Sequence, residues 1–205
     1  MRLAAALAGM LLLAGCTTAT PQDQSTGTES SQGSQRMSVD VDTPALRTAK
    51  KQAGIATCRP GGGSTQLPAV TLPCLGGGPD VALTGLRGPL VLNLFAEYCG
   101  PCRTELPLMQ ELHEKAGGRL SVLGVDYDDA SPEGAVEIAA HAGVTYPLLA
   151  DPTERLRVPF RVRGLPGTVF VRADGTVASV QLRVFRSWAE LRTAVRQELG
   201  VTVPA

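Results

Sequence analysis

The amino-acid sequence predicts an α/β fold in which helices cover a central β-sheet, a three-layer sandwich. Two continuous apolar runs, residues 90–96 and 120–125, are typical of strands that are buried on both faces of a sheet. Each run is followed by a segment with helical character, residues 101–116 and 132–142. Asp174-Gly175 then joins two further strand-like runs, which is a hairpin signal. Strands and helices that alternate in this way favour a central sheet.

The elements before the first buried strand are short. Residues 39–51 predict a helix, with Asp42 or Thr43 as its cap and Pro44 in its first turn. A Gly- and Pro-rich segment follows, and residues 80–86 then predict a short strand. These elements form an N-terminal extension to the main α/β unit.

The elements after the predicted helix over residues 132–142 complete the sheet. The hairpin strands are predicted over residues 168–172 and 177–181. The last helix, residues 188–199, begins after the capping residue Ser187 and ends at Gly200. The order from the first buried strand onward is therefore strand–helix–strand–helix–strand–strand–helix.

The first residues predict an export signal. Arg2 is a minimal positive region, residues 3–13 are apolar, and Leu13-Ala14-Gly15-Cys16 is similar to a bacterial lipobox. We therefore expect a lipoprotein signal peptide over residues 1–15 and lipidation of Cys16. A diacyl modification would supply the two acyl chains that stable anchoring needs. The alternatives are an ordinary signal peptide with an incidental cysteine, or a short uncleaved anchor.

A low-complexity segment follows this signal. Residues 17–35 are mostly Thr, Ser, Gln and Gly and cannot bury enough apolar surface to fold. We predict a flexible tether over residues 16–52 and a folded domain over residues 53–205.

Composition restricts the function classes. The 19 basic and 19 acidic residues give zero formal net charge, which argues against nucleic acid as a partner. No apolar run reaches the roughly 18 residues that predict a transmembrane helix.

Cys99-Gly100-Pro101-Cys102 is the motif that carries chemistry. Cys99 follows a buried strand and precedes a helix, so its sulfur is expected at a helix N-terminus, where N–H groups and the helix dipole favour a thiolate. Cys102 stands three residues later, within bonding reach. One cysteine can attack a disulfide and the other can resolve the mixed disulfide, which predicts thiol–disulfide exchange. The alternatives are a purely structural disulfide, or a zinc site that would also need Cys58 and Cys74.

The residues around this motif identify a family. Residues 95–103 (FAEYCGPCR) and 105–107 (ELP) resemble the active-site stretch of the thioredoxin superfamily, and the chain is most similar to TlpA/ResA-like extracytoplasmic lipoproteins. The similarity continues through residues 164–171 (GLPGTVFV) and Asp174-Gly175, and it spans about residues 67–199. The resemblance implies a thioredoxin-like sandwich with a central mixed sheet.

The resemblance also implies roles for residues. Cys99 would be the nucleophile and Cys102 the resolving cysteine. Pro166 would be the family's cis-proline beside the pair, and Leu165 would pair with an extended substrate. The implied partners are disulfide-bearing exported proteins such as apocytochrome c, together with a membrane thiol electron donor. We expect a monomer without cofactor or metal, anchored outside the cytoplasm to the bacterial cell membrane.

Two positions depart from the family pattern. Tyr98 stands where the family usually has tryptophan. Asn93 stands where cytoplasmic thioredoxins carry a buried aspartate that accepts a proton from the second cysteine. Proton transfer must then use another group, with Glu97 or water as the candidates, although Glu97 also fits a solvated carboxylate at a strand end.

The cysteine count is consistent with this assignment. If Cys16 carries lipid and Cys99 pairs with Cys102, then Cys58 and Cys74 remain for a structural disulfide. Such a bridge would stabilise the fold by about 3 kcal/mol in the chain-entropy model. The alternative is a second redox pair that passes electrons to the first.

Several functions are consistent with these residues. Gly-Pro between the cysteines resembles the pair found in reducing thioredoxins, and this resemblance favours a reductant over a thiol oxidase. A peroxiredoxin-like peroxidase is suggested by residues 146–151, but the proline and threonine that precede a peroxidatic cysteine are absent before Cys99. A non-catalytic lipoprotein that binds a maturation partner is the third possibility. Four arginines precede Pro166 and predict either a solvated face or a docking patch for an acidic partner: Arg155, Arg157, Arg161 and Arg163.

Overall fold

The computed structural model describes residues 39–205. The predicted signal peptide over residues 1–15, the lipidated Cys16 and the first part of the predicted tether lie outside the described residues. Within residues 39–205, none of the helices has the length and apolarity to cross a membrane.

The described chain contains five α-helices and seven β-strands. The helices are α1 Pro44–Gln52, α2 Gly100–Ala116, α3 Pro132–His141, α4 Arg157–Phe160 and α5 Trp188–Leu199. The strands are β1 Thr71–Leu72, β2 Val81–Ala82, β3 Leu90–Phe95, β4 Ser121–Tyr127, β5 Leu148–Asp151, β6 Gly167–Val171 and β7 Val177–Gln181. A short 3-10 helix, Leu83–Gly85, follows β2.

The main sheet has five strands in the order β5-β4-β3-β6-β7, and β1 pairs with β2 separately. Strand β3 is parallel to β4 and antiparallel to β6. Strand β5 is parallel to β4, and β7 is antiparallel to β6. The predicted α/β fold with a central mixed sheet is therefore confirmed.

Strand β3 is fully buried because an apolar cluster packs on each of its faces. Val91 and Phe95 belong to the cluster that also holds the buried residues of α2 and α5. Leu90, Leu92 and Leu94 belong to a second cluster, with residues of β1, β2 and α4. Alternating side chains of one strand thus join two hydrophobic cores, which fixes the end of β3 from which the Cys99 segment departs.

The folded part of the chain begins earlier than the predicted boundary at residue 53. Helix α1 starts after Thr43, whose hydroxyl accepts a hydrogen bond from the Leu46 backbone N–H. Leu46 is fully buried and Val41 nearly so. The predicted tether of residues 16–52 therefore includes a helix that packs into the core, because these two apolar side chains face it.

Three elements were not predicted, and one was predicted incorrectly. Strand β1 has only two residues. Strand β5 and helix α4 each span only four residues, too few to show a period. The predicted strand over residues 80–86 is instead a two-residue strand followed by the 3-10 helix.

Candidate active site

Cys99 and Cys102 form a disulfide at the N-terminus of α2, with a Cα–Cα distance of 5.3 Å. Cys99 is the N-cap residue, and its sulfur accepts a hydrogen bond from the Cys102 backbone N–H at 3.2 Å. Pro101 occupies the first turn, where its missing N–H costs no helix hydrogen bond. When the pair is reduced, the same N–H and the helix dipole stabilise a thiolate on Cys99.

The two cysteine residues differ in exposure. Cys102 is completely buried, whereas Cys99 retains 6% of its surface. The residue before Cys99, Tyr98, is 60% exposed and is one of the few large apolar side chains at the surface of the described chain. A partner molecule can therefore reach Cys99 more readily than Cys102.

The Pro166 segment lies at the same end of the sheet as the cysteine pair. The antiparallel ladder between β3 and β6 ends with Leu94 opposite Gly167, and Phe95 and Pro166 are the next residues on each side. The Leu165–Pro166 peptide bond is cis. Leu165 is half-buried and packs against the apolar cluster that contains Cys99 and Cys102.

A groove runs beside this segment. Its lining residues come from α4, from the loop before Pro166, and from β7 and the residue that follows it: Pro159, Phe160, Arg161, Arg163, Gly164, Leu165, Val180 and Leu182. Leu182 is 38% exposed and lies next to Gly167, whose missing Cβ would be only 3.2 Å from its methyl group. The groove therefore offers apolar side chains and two arginines beside the Leu165–Pro166 segment.

Glu105 is a buried carboxyl on the same helix as the cysteines. It stands three residues after Cys102, so the two side chains lie on neighbouring positions of one helix face. One carboxyl oxygen accepts a hydrogen bond from the Phe185 backbone N–H and the other from the Asn93 side-chain amide, both at 2.8 Å. Glu105 has no exposed surface.

Burial raises the pKa of Glu105 from 4.5 to about 7, although the hydrogen bonds from Phe185 and Asn93 oppose this change. A carboxyl with this pKa gains or loses a proton near neutral pH. Asn93, which stands where the sequence resemblance implies the aspartate of cytoplasmic thioredoxins, donates to Glu105 and holds it in position. The buried acid of this site is therefore carried by α2 instead of by β3.

Further polar atoms surround this carboxyl. Thr168 is the partner of Asn93 in the sheet, so their side chains share a face. Among residues 39–205, the Asn93 Oδ1, Thr168 Oγ1 and Tyr146 hydroxyl oxygen atoms are buried without a hydrogen-bond partner. These atoms leave Glu105 in a polar but enclosed surrounding, which suits a group that exchanges protons.

Two further carboxyls, those of Asp126 and Asp129, lie beside the segment before Cys99. Asp129 accepts hydrogen bonds from the backbone N–H groups of Glu97 and Ser131. Asp126 lies opposite Phe95 in the sheet and is 2% exposed. Burial, together with the neighbouring Asp129, raises the pKa of Asp126 to about 9. Asp126 is therefore protonated at neutral pH, and it can donate a hydrogen bond to Asp129.

Other residues singled out in the sequence have different surroundings. Glu97 is partly exposed, and its carboxylate lies 3.4 Å from the Arg103 guanidinium. Arg155 donates to the Thr71 carbonyl oxygen and Arg157 pairs with Glu154. The remaining two arginines of the predicted patch line the groove described above.

Cys58 and Cys74 form a disulfide with a Cα–Cα distance of 5.8 Å. Both residues are buried in the second apolar cluster, whereas Cys99 and Cys102 belong to the first. Over the described part of the chain, no group of three or more His, Cys, Asp or Glu side chains has a geometry that could hold a metal ion.

Sequence reasoning missed Glu105 as a functional residue. The signal was its position: it follows Cys102 by three residues and stands on the face of α2 that also carries the buried residues Leu106 and Met109. A carboxylate on an apolar helix face needs buried partners, and its two partners come from β3 and from the segment before α5.

The sequence of this chain matches the profile of one protein family. The sequence profile of the AhpC/TSA family matches residues 64–180, more than half of the 205 residues. The thiol:disulfide interchange protein CycY of Rhizobium leguminosarum bv. viciae is 34% identical over 101 residues, which is 48% of this chain and 53% of that protein. A thiol:disulfide interchange protein of Paracoccus denitrificans, a DsbE homolog, is 35% identical over 92 residues, 44% of this chain and 48% of that protein. This chain thus spans about half the length of these relatives.

The fold is also found in solved structures. A secreted thiol-disulfide isomerase from Corynebacterium glutamicum superposes with a TM-score of 0.56 at 25% identity. The match covers 66% of this chain and 84% of that one.

Proposed function

Because the chain belongs to the AhpC/TSA family, we propose that it is a thiol–disulfide oxidoreductase in which Cys99 is the nucleophile and Cys102 the resolving cysteine. The observation that carries this proposal is the bonded pair at the start of α2, with the Cys102 N–H directed at the Cys99 sulfur. The names of the two sequence relatives support the same activity.

The reaction runs in two exchanges. The Cys99 thiolate attacks one sulfur of a substrate disulfide, and the other substrate sulfur leaves as a thiolate. Cys102 then loses its proton and attacks Cys99, which re-forms the Cys99–Cys102 disulfide and releases the second substrate thiolate. Two electrons pass from the protein dithiol to the substrate. Each released thiolate takes up one proton.

Glu105 is the group that accepts the Cys102 proton in this scheme. Cys102 is completely buried, so its proton needs an acceptor inside the protein. A carboxyl whose pKa is raised to about 7 can take a proton from a thiol and return it to solvent near neutral pH. Asn93 cannot ionise, but its amide orients the carboxyl.

The groove beside Leu165 supports an extended polypeptide as the substrate. Main-chain atoms at Leu165 can pair with such a segment, and Leu182 offers an apolar contact. Arg161 and Arg163 would favour acidic side chains on that segment. The physiological substrates in this proposal are disulfides of exported proteins, such as the cysteines of apocytochrome c before haem attachment, and a membrane thiol donor returns the electrons.

The reductant direction rests on Gly-Pro between the cysteines and is tested by the reduction potential of the pair. Equilibration with a glutathione buffer should give a potential near the reducing end of the range, roughly −270 mV. A value near the oxidising end, about −120 mV, would instead assign the protein as a thiol oxidase.

Single cysteine variants test the order of attack. Cys99→Ser should abolish reduction of an insulin-type disulfide substrate, whereas Cys102→Ser should accumulate mixed disulfides that non-reducing gels detect. Cys58→Ser is the matched control and should retain turnover. If the protein reduced peroxide faster than it reduced disulfides, the peroxiredoxin-like peroxidase hypothesis would be favoured. Full rescue of a deletion strain by Cys99→Ser would favour a non-catalytic binding lipoprotein.

Membrane attachment through Cys16 is a further part of this proposal, since the signal pattern is the support for it. The full chain expressed in a bacterium should fractionate with membranes and incorporate labelled fatty acid. Cys16→Ser should lose both properties, and a variant that keeps the label would contradict lipidation at this residue.

A further inference from the structure

Lys50 is a buried cation that lies against the second disulfide. It is only 5% exposed, and its ammonium nitrogen is 3.0 Å from the Cys74 sulfur and 2.8 Å from the Gly77 carbonyl oxygen. Among residues 39–205 it forms no ion pair with a carboxylate, and the nearby Asp42 is paired with Arg47. A buried charge without a counter-ion is unfavourable unless a partner forms.

The surroundings of the two sulfurs are unequal. The Cys74 sulfur also accepts a hydrogen bond from the Cys58 backbone N–H at 3.3 Å. The Cys58 sulfur instead lies 3.1 Å from the Leu148 carbonyl oxygen. Two donors therefore face Cys74 and an acceptor faces Cys58, so a reduced pair would hold a thiolate on Cys74 and a protonated thiol on Cys58.

We propose that Cys58–Cys74 is a second, reducible redox site, in which Lys50 supplies the counter-ion that stabilises Cys74 as a thiolate. This goes beyond the reaction of Cys99 and Cys102 and does not depend on it. A disulfide whose reduced form is stabilised is easier to reduce than one whose reduced form has no such partner.

The reductant is a dithiol, either of a protein or of a small molecule. Its first thiolate attacks the Cys58 sulfur, the bond to Cys74 breaks, and Cys74 leaves as the thiolate beside Lys50. The second thiolate of the reductant then attacks the reductant's first sulfur, which is bonded to Cys58 in the mixed disulfide. This step releases Cys58 as a thiolate, which takes up one proton and, as a thiol, donates a hydrogen bond to the Leu148 carbonyl oxygen. Two electrons pass to the pair, and the reductant leaves as a disulfide.

Three consecutive glycines lie beside this site. Gly76, Gly77 and Gly78 all have positive φ angles. Gly78 is exposed, and a Cβ atom on it would be 3.2 Å from the Cys74 sulfur. The exposed backbone at Gly78 thus lies beside the Cys74 sulfur, and a displacement of this glycine segment would open the disulfide to a reductant.

The test removes the cation and leaves the disulfide. In the full chain with Cys16, Cys99 and Cys102 changed to Ser, the remaining pair is equilibrated with glutathione, and free thiols are counted by alkylation and mass spectrometry. Lys50→Met should make the disulfide at least tenfold harder to reduce, which is about 30 mV for a two-electron couple. Lys51→Met, on the exposed neighbour, should change the equilibrium less than twofold.

Two further measurements keep the result decisive. Lys50→Arg retains the charge and should recover most of the lost reducibility, which distinguishes electrostatics from a packing defect in Lys50→Met. In the reduced parent, limiting iodoacetamide at neutral pH should label Cys74 before Cys58. Equal equilibria for Lys50→Met and Lys51→Met, or preferential labelling of Cys58, would overturn the proposal. Because the catalytic cysteines are absent, neither result depends on the function of Cys99 and Cys102.

Discussion

The buried carboxyl of Glu105 makes the stability of the protein depend on pH, and Glu105→Gln should remove that dependence. Glutamine keeps the acceptor for the Phe185 N–H. Its amide can also donate to Asn93 Oδ1, which is buried without a partner, once the Asn93 amide rotates. The variant therefore preserves both hydrogen bonds and eliminates only the titration.

The magnitude follows from the change in pKa. Folding raises the pKa of Glu105 from 4.5 to about 7, so the native state binds this proton more tightly than the unfolded state. The contribution of this proton to the free energy of unfolding is therefore fully present below pH 4.5 and is lost as pH rises toward 7. At about 1.36 kcal/mol for each unit of pKa, the loss is roughly 3 kcal/mol by pH 8. Glu105→Gln does not incur this loss.

The assay is urea denaturation of the oxidised protein between pH 4.5 and 8, followed by the fluorescence of Trp188, the single tryptophan. The stability of Glu105→Gln relative to the parent should increase by about 3 kcal/mol across this range. Glu111→Gln, a partly exposed position on the same helix, controls for the loss of one charge. Parallel pH profiles for Glu105→Gln and the parent would refute the assignment of Glu105 as a carboxyl that titrates near pH 7.

Three other substitutions test the packing and charges around the site. Asp126→Asn should become more stable relative to the parent as pH rises from 6 to 8, because burial raises the Asp126 pKa to about 9 and asparagine needs no proton to donate to Asp129; urea titrations at both pH values check this, and an unchanged difference would contradict it. Ser187→Ala removes the acceptor of the Glu190 N–H at the start of α5 and should lower stability by about 1 kcal/mol, seen as a lower thermal midpoint, whereas an unshifted midpoint would show that the cap is dispensable. Leu106→Ala empties a fully buried position on α2 and should cost about 2–5 kcal/mol in urea denaturation, and a loss below 1 kcal/mol would show that the core refills the space.

The position of the cysteine pair was predictable because its determinants are local. A continuous apolar run followed by Cys-Gly-Pro-Cys dictates a buried strand, a tight turn and a helix within about fifteen residues. The hairpin at Asp174-Gly175 is local in the same way, and Gly175 indeed has a positive φ angle there. The predicted order of strands and helices held wherever a segment was long enough to show its period.

Other features depend on contacts between residues that are distant in the sequence, and these contacts could not be predicted from local sequence patterns. Glu105 becomes a buried acid only because Asn93 and Phe185 meet it from separate elements. Lys50 lies in the predicted helix within the predicted tether, and only the packing of α1 brings its ammonium group to Cys74. In both cases a charged residue that ordinarily marks a solvated surface is enclosed by packing that no local pattern encodes.

The long-range pairing of β3 with β6 has a consequence for the nascent chain. Cys99 and Glu105 leave the ribosome well before Thr168 and Phe185, the residues that complete the enclosure around the carboxyl. Until those later segments dock, Glu105 is hydrated and has the acidity of an ordinary glutamate. The raised pKa of Glu105 therefore develops only when the last third of the chain has been added and has packed around the carboxyl.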